Sequence, residues 1–288
     1  LDEVYTGKSV WTGMDSVVID RLYKDGFCPI KEMGQPIPQA NQYFILRNGK
    51  DSVMGCYDAY REEMVRVDKR LAYGIKPRNA EQAFALHALL NESVRLVTLQ
   101  GMAGTGKTLL ALASGLIQVL DERRYSEIIM TRATVSVGED IGFLPGTEEE
   151  KMGPWMGALD DNLEVLAKTD TSTGEWGRAA TNELIRSKIK IKSLNFMRGR
   201  TFMNKFVIID EAQNLTPKQM KTLITRAGPG TKIICMGNLA QIDTPYLTEG
   251  SSGLTFAVDR FKAWPHGGHI TLARGERSRL ADYASDVL

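Results

Sequence analysis

This chain lacks the material for a disulfide or zinc scaffold. Its three cysteines, Cys28, Cys56 and Cys235, stand far apart and make neither a disulfide framework nor a metal spacing. That scarcity fits a reducing compartment, and the expectation is a cytoplasmic protein. His87, His266 and His269 also lack metal-ligand spacing and read as structural or surface residues. No run of about 18 apolar residues is present and the N-terminus has no apolar signal core, so no membrane partner is expected. The formal net charge is only +1, so a site for any polyanion must be a local patch. The first 70 residues hold no carboxylate cluster suited to two-metal chemistry. The chain starts at Leu1, not Met, which fits a fragment or a processed product.

What is present is ordinary globular material: 288 residues, 43% hydrophobic and 25% charged. A chain this long buries a sizeable core without cross-links, as one large domain or two unequal ones. Its texture changes near residue 70. Before that point, Val17–Tyr23 reads as a short helix or strand. Gln42–Arg47, the turn signal Asn48-Gly49 and Ser52–Tyr57 read as a β-hairpin. The expectation is a small β-rich module or connector over residues 1–70 and a main domain over 71–288.

The main domain is organised around Gly101-Met102-Ala103-Gly104-Thr105-Gly106-Lys107-Thr108. This is G-x-x-x-x-G-K-[ST], the phosphate-binding P-loop. A buried strand, Val94–Leu99, runs into it, and a helix beginning at Leu109 leaves it. Glycines let the backbone curl so that its N–H groups converge on phosphates, and the helix N-terminus adds positive potential. Each residue from Gly101 to Leu109 is therefore an ATP-binding candidate. Lys107 would reach the β/γ-phosphates, and Thr108 would hold Mg²⁺. Upstream, Gln82 has two readings. It completes a capping box with Asn79, or its amide reads adenine.

Phe206–Ile209 is a continuous apolar strand ending in Asp210-Glu211, an acidic pair of the Walker B kind. Asp210 would hold Mg²⁺ and Glu211 would act as general base. The alternative is two acids capping the helix that opens at Thr216-Pro217. A third buried strand, Gly230–Gly237, ends at Asn238, Gln241 and Asp243. Gln241 is the γ-phosphate candidate, while Asn238 and Asp243 equally suit a turn. After the last strand, His269–Leu272, Arg277 is the candidate arginine finger, a device worth roughly 10³–10⁵ in rate. A salt bridge between Glu276 and Arg279 is the plainer reading of that segment. Lys188, Lys190 and Lys192 alternate with isoleucines, as on a solvated sheet face or protected edge strand.

These pieces resemble the PhoH family of P-loop ATPases. The carriers are Gly101–Thr108, Thr131-Arg132 with the run from Gly138-Glu139 to Leu144-Pro145-Gly146, Arg198–Phe202, Asp210–Asn214, Gly237–Asp243 and Glu276-Arg277-Ser278. Arg132-Ala133 departs from the family's common Arg-Pro. The resemblance implies an α/β, RecA-like P-loop NTPase with a mainly parallel sheet flanked by helices, related to superfamily 1 helicases. It implies ATP hydrolysis with Mg²⁺, a homo-oligomeric ring, a hexamer in such proteins, and single-stranded RNA as partner. In one branch a PIN ribonuclease domain precedes the ATPase, and residues 1–70 resemble the connector of that branch. Nucleic-acid candidates are Arg132, Lys151, Trp155, Arg198, Arg200 and Phe202. The rival reading is an ATP-switched assembly protein that remodels or holds protein partners.

Overall fold

A computed structural model describes residues 4–133, 154–168, 182–275 and 279–288. The N-terminal part forms a five-stranded sheet from β1 (Lys8–Trp11), β2 (Phe27–Pro29), β3 (Tyr43–Asn48), β4 (Asp51–Asp58) and β5 (Glu63–Arg66), in the order β1-β3-β4-β5-β2. The hairpin expected from the sequence is β3–β4. Its register pairs Asn48 with Asp51, so the two-residue turn is Gly49-Lys50, one residue later than the Asn48-Gly49 signal suggests. Helix α1 (Ser16–Asp25) starts where the Asp15 carboxylate accepts from Val17 N–H and stops at Gly26, whose φ of 84° ends the helix in the left-handed region.

Period-2 alternation gives this sheet two jobs. Phe44, Leu46, Val53 and Tyr57 face α1 and pack with Val18, Ile19 and Leu22. Tyr43 and Cys56 face the other way and join the core of the main domain. Tyr43 stacks on Phe84 with ring centroids 5.0 Å apart, and its hydroxyl meets His87 Nδ1 at 2.9 Å. The module is packed on its neighbour through apolar burial, with one core running through both.

The second sheet is parallel throughout. Its strands are β6 (Leu96–Gly101), β7 (Glu127–Arg132), β8 (Ile189–Ile191), β9 (Lys205–Asp210), β10 (Lys232–Gly237) and β11 (Gly267–Leu272), in the order β11-β6-β10-β9-β7-β8. The two strands expected to carry the acidic pair and the P-loop, β9 and β6, are thus separated by β10. Leaving aside edge strand β8, this is the order of a RecA-like core. Helices α2 (Ala80–Leu90), α3 (Lys107–Leu116) and α4 (Pro154–Lys168) bury their apolar residues on one face. Helices α6 (Pro217–Ile224) and α7 (Gly253–Phe261) cover the other, and short α5 (Leu194–Arg198) joins them through Met197. Covering both faces is what the continuous apolar strands require. Helix α8 (Arg279–Val287) ends the chain. The lysine-alternating stretch is edge strand β8, with Ile189 and Ile191 buried and Lys190 exposed. Among the described residues no helix is long and apolar enough to cross a membrane.

One buried cation closes α2. Lys232 is fully buried and donates from Nζ to the carbonyls of Ala88 (2.9 Å), Leu89 (2.7 Å) and Asn91 (2.9 Å). Its three donors match three carbonyls at the helix C-terminus, where positive charge is favoured. Burial pushes its pKa well down, and the charges of Arg95 and Arg124 push the same way.

Two histidines are held neutral, His269 buried and His87 partly buried. Burial, with Arg70 and Lys232 nearby, lowers His87 to about 4. Burial lowers His269 to about 3, although its ring nitrogens meet Thr98 and Thr271 hydroxyls at 2.7 and 2.9 Å. The unfolded chain protonates these rings from about pH 6.5 downward and the folded chain does not, so stability present above pH 6.5 is lost as pH falls toward 4. Each ring accounts for about 3 kcal/mol of that loss. Urea titrations between pH 7 and pH 4 should show the decline, and His87→Gln with His269→Gln should flatten it.

Candidate functional site

The carboxyl ends of β6, β9 and β10 open on a cleft of about 500 Å³. Lys107, Thr108, Asp210, Glu211 and Gln241 all line it, so residues spread over more than 130 positions of sequence meet at one place. A second cleft of about 680 Å³ adjoins it between α2 and α4, lined by Ile75, Pro77, Gln82, Leu109 and Val165 among others. Gly104, Gly106, Leu109 and Asn162 border both.

The loop from Gly101 to Gly106 is shaped by close approach of backbone. Gly101 pairs with Leu272 on β11, and a Cβ there would lie 2.6 Å from the Leu272 carbonyl oxygen. Gly106 has φ 91°, and a Cβ there would lie 2.9 Å from Gln82 Nε2. Thr105 Oγ1 donates to Met102 O at 2.8 Å and so fastens the curl to itself. Lys107 Nζ donates to Gly101 O, and to Met102 O at 3.0 Å. Burial lowers the Lys107 pKa, while the charges of Asp210 and Glu211 oppose the shift.

Gln82 sits at the start of α2. Its backbone N–H donates to Asn79 Oδ1 at 2.9 Å, the cap half of the expected box. Its side chain does something else: Nε2 donates to Thr105 O at 3.1 Å and Oε1 accepts from Arg78 N–H at 2.9 Å. Gln82 therefore braces the P-loop from beneath while bordering the second cleft.

Glu211 follows β9 in the left-handed region, φ 54°, ψ 35°, an uncommon backbone for a residue with a side chain. Its Oε2 accepts from Gln213 Nε2 at 2.6 Å. The same Nε2 donates to Gln241 O at 3.1 Å, and Gln213 Oε1 accepts from Asn238 N–H at 3.1 Å. Buried Gln213 thus ties the acid after β9 to the loop after β10. Sequence reading gave Gln213 no role, because only the fold brings these two loops within reach of one side chain. Asn238 forms its turn, accepting from Ala240 N–H at 3.1 Å, and Asp243 N–H is held by Asn214 Oδ1 at 2.8 Å. Asn238 thus forms a turn and also lines the cleft.

The nucleic-acid candidates separate. Arg132 ends β7 opposite Asp210 in register and lines the cleft itself, with its Nε buried and unpartnered. Arg198 and Arg200 are exposed elsewhere. Arg200 lies 4.9 Å from the Phe196 ring centroid and Lys192 lies 4.7 Å from it. Phe202 is buried, with its backbone bridged to Ala227, so it presents no face for stacking. Trp155 falls within α4. Lys151, the Val137–Gly146 run and Arg277 lie outside the described residues.

A triphosphate fits these residues. The buried, unpartnered Arg132 Nε and the Lys107 side chain line one cleft, and a loop with glycine at 104 and 106 borders it. For the metal, a Thr108 hydroxyl and the Asp210 carboxylate are hard oxygen donors of the kind Mg²⁺ prefers, supplemented by phosphate oxygens and water. Among the described residues no group of three or more His, Cys, Asp or Glu could hold a metal alone.

Fold and site together define a P-loop NTPase. The family model for PhoH-like proteins matches residues 74–284, and the chain belongs to the PhoH family. It is 41% identical to protein PhoH2 of Bacillus subtilis over all of its own length and 65% of that protein. It is 36% identical to protein PhoH2 of Mycolicibacterium smegmatis, covering 97% of this chain and 63% of that one. The chain therefore spans just under two thirds of the length of these two relatives. Among solved structures, the Pif1 helicase of Candida albicans aligns with 74% of this chain and 43% of its own at 18% identity, with a TM-score of 0.38.

Removing the Gln213 side chain strands the Asn238 N–H and releases Glu211. Gln213→Ala should lower unfolding free energy by about 1–3 kcal/mol, the cost of leaving buried polar groups unpaired. Gln213→Glu should not restore it, since it sets a carboxylate against Glu211. Urea denaturation of the three proteins checks both points.

Proposed function

We propose that this chain hydrolyses ATP with Mg²⁺ in the cleft at the ends of β6, β9 and β10. The observation that carries this reading is the convergence of Lys107, Asp210 and Glu211 on one cleft. The P-loop residues Gly101 to Leu109 cradle the phosphates, with the base in the adjoining cleft beside Gln82. Lys107 contacts the β- and γ-phosphates, and Thr108 and Asp210 hold Mg²⁺, which would neutralise phosphate charge. Glu211 takes the proton of a water attacking the γ-phosphorus as the bond to the bridging oxygen breaks. Gln241 contacts the γ-phosphate, and Arg277 completes the site as an arginine finger.

The ATPase unit is residues 71–288, with 1–70 as its connector. Turnover drives a cytoplasmic ring, a hexamer, along single-stranded RNA as a translocase or helicase. Arg198 and Arg200, the second held over Phe196 beside Lys192, supply backbone-binding charge. Trp155 is the stacking candidate in α4. Arg132 is reassigned from RNA to phosphate contact, because it lines the cleft. The full-length protein would carry a PIN ribonuclease domain beside this ATPase.

Two measurements test these claims. Glu211→Gln should bind ATP within a few-fold of the parent while turnover falls by at least about 100-fold. Undiminished hydrolysis would remove Glu211 as base. Single-stranded RNA should raise the ATPase rate, with binding that weakens steeply as salt rises. A flat response to RNA would favour an ATP-switched assembly protein instead.

A further inference from the structure

The second cleft, about 680 Å³ between α2 and α4, has walls of three chemical kinds. Ile75, Pro77, Leu109 and Val165 give it apolar surface. Lys76 and Arg78 are exposed at it, and their side chains carry hydrogen-bond donors only. Among the described residues its side-chain amides are Gln82 and Asn162. The two purines differ at their edges. Adenine presents an amino donor beside the N7 acceptor, a pair that one amide matches. Guanine presents two acceptors there, O6 and N7, which Arg or Lys matches.

Neither amide is set to read adenine. Gln82 Nε2 donates to Thr105 O at 3.1 Å and its Oε1 accepts from Arg78 N–H at 2.9 Å, so both ends already have protein partners. The residue is only 5% exposed, and Nε2 packs against Gly106, where a Cβ would lie 2.9 Å away. Thr105 is itself buried, so an adenine that drew Nε2 away would leave a buried carbonyl unpaired. Asn162 Nδ2 donates to Ala158 O at 2.9 Å within α4. Its Oδ1 can accept from the amino group of either purine. A site rejects the wrong ligand when its own buried polar groups are left without partners. Those of Gln82 are satisfied before any base arrives, so guanine meets no such penalty.

We infer that the second cleft does not select adenine, so that GTP is a substrate alongside ATP. The inference rests on the hydrolytic reading of the phosphate cleft. The apolar walls accept the face of either ring system, and stacking tolerates a change of base. Lys76 and Arg78 suit the paired acceptors of guanine at least as well as the lone acceptor on the matching edge of adenine. Gln82 acts on the nucleotide through Thr105 and the P-loop, as a positioning residue for either substrate.

Steady-state rates with ATP and with GTP, each with Mg²⁺, test this in the whole chain. The kcat/KM for GTP should lie within about tenfold of that for ATP, or above it. Gln82→Ala should lower both and leave their ratio within about twofold of the parent's, because it removes a P-loop brace and no base contact. A larger preference for ATP in the parent overturns the inference. So does a Gln82→Ala whose ratio shifts further toward GTP, since that marks a lost adenine contact. Binding reads the same ratio without turnover, with unlabelled ATP and GTP competing against a ribose-labelled fluorescent ATP analogue. If Gln82→Ala turns over neither nucleotide, this competition supplies its ratio. If the parent hydrolyses neither, the hydrolytic reading falls and competition decides alone. Displacement at concentrations within about tenfold of each other upholds an unselective cleft, and a larger advantage for ATP overturns it.

Discussion

The position of β6 between two parallel neighbours is the constraint on which the rest depends. Its backbone pairs with β11 on one side and β10 on the other, and apolar side chains cover both faces. A strand so held ends at a fixed point. Gly101 then turns away from the sheet with Leu272 too close to allow a side chain. Because β10 lies between β6 and β9, the acids at the end of β9 face the P-loop across a gap. Gln100 and Gln213 bridge this gap by holding the β10 loop: Gln100 Oε1 accepts from Leu239 N–H at 3.0 Å and Gln213 Oε1 from Asn238 N–H at 3.1 Å. The cleft is the space that this strand order leaves.

Helix α2 is the second organiser. Its N-terminus carries Glu81 and Gln82, which hold the segment after β11 and the P-loop. Its C-terminus is closed by Lys232 from the start of β10. Its apolar side, with Phe84, receives Tyr43 from the N-terminal sheet. One helix thus links the small sheet to the nucleotide cleft. The left-handed backbone of Glu211 is the local strain that such surroundings sustain.

Much of this was legible in the sequence for physical reasons. Phe206–Ile209 and Ile233–Met236 are apolar throughout, which only a strand buried on both faces tolerates. The P-loop spacing carries its own geometry. The hairpin signal was right in kind and one residue off in register. Other features were out of reach because they depend on which strands neighbour one another. Arg132 reads as one more basic residue until β7 pairs with β9 and sets it opposite Asp210. Phe202 reads as a stacking aromatic until its burial shows it to be core. Gln82 and Asn79 have the spacing of a capping box, yet the Gln82 amide goes to Thr105, 23 positions away. Glu81 gave no signal at all, since its partners are Lys8 and the far end of the chain.

The central claim is that the cleft converts a bound nucleoside triphosphate as well as holding it. Single-turnover hydrolysis tests this most directly, with limiting ATP mixed into excess protein and Mg²⁺ and the products quenched and counted. The account predicts that all bound ATP becomes ADP and phosphate, at a rate that levels off as protein concentration rises. ATP that binds and is recovered intact would contradict it.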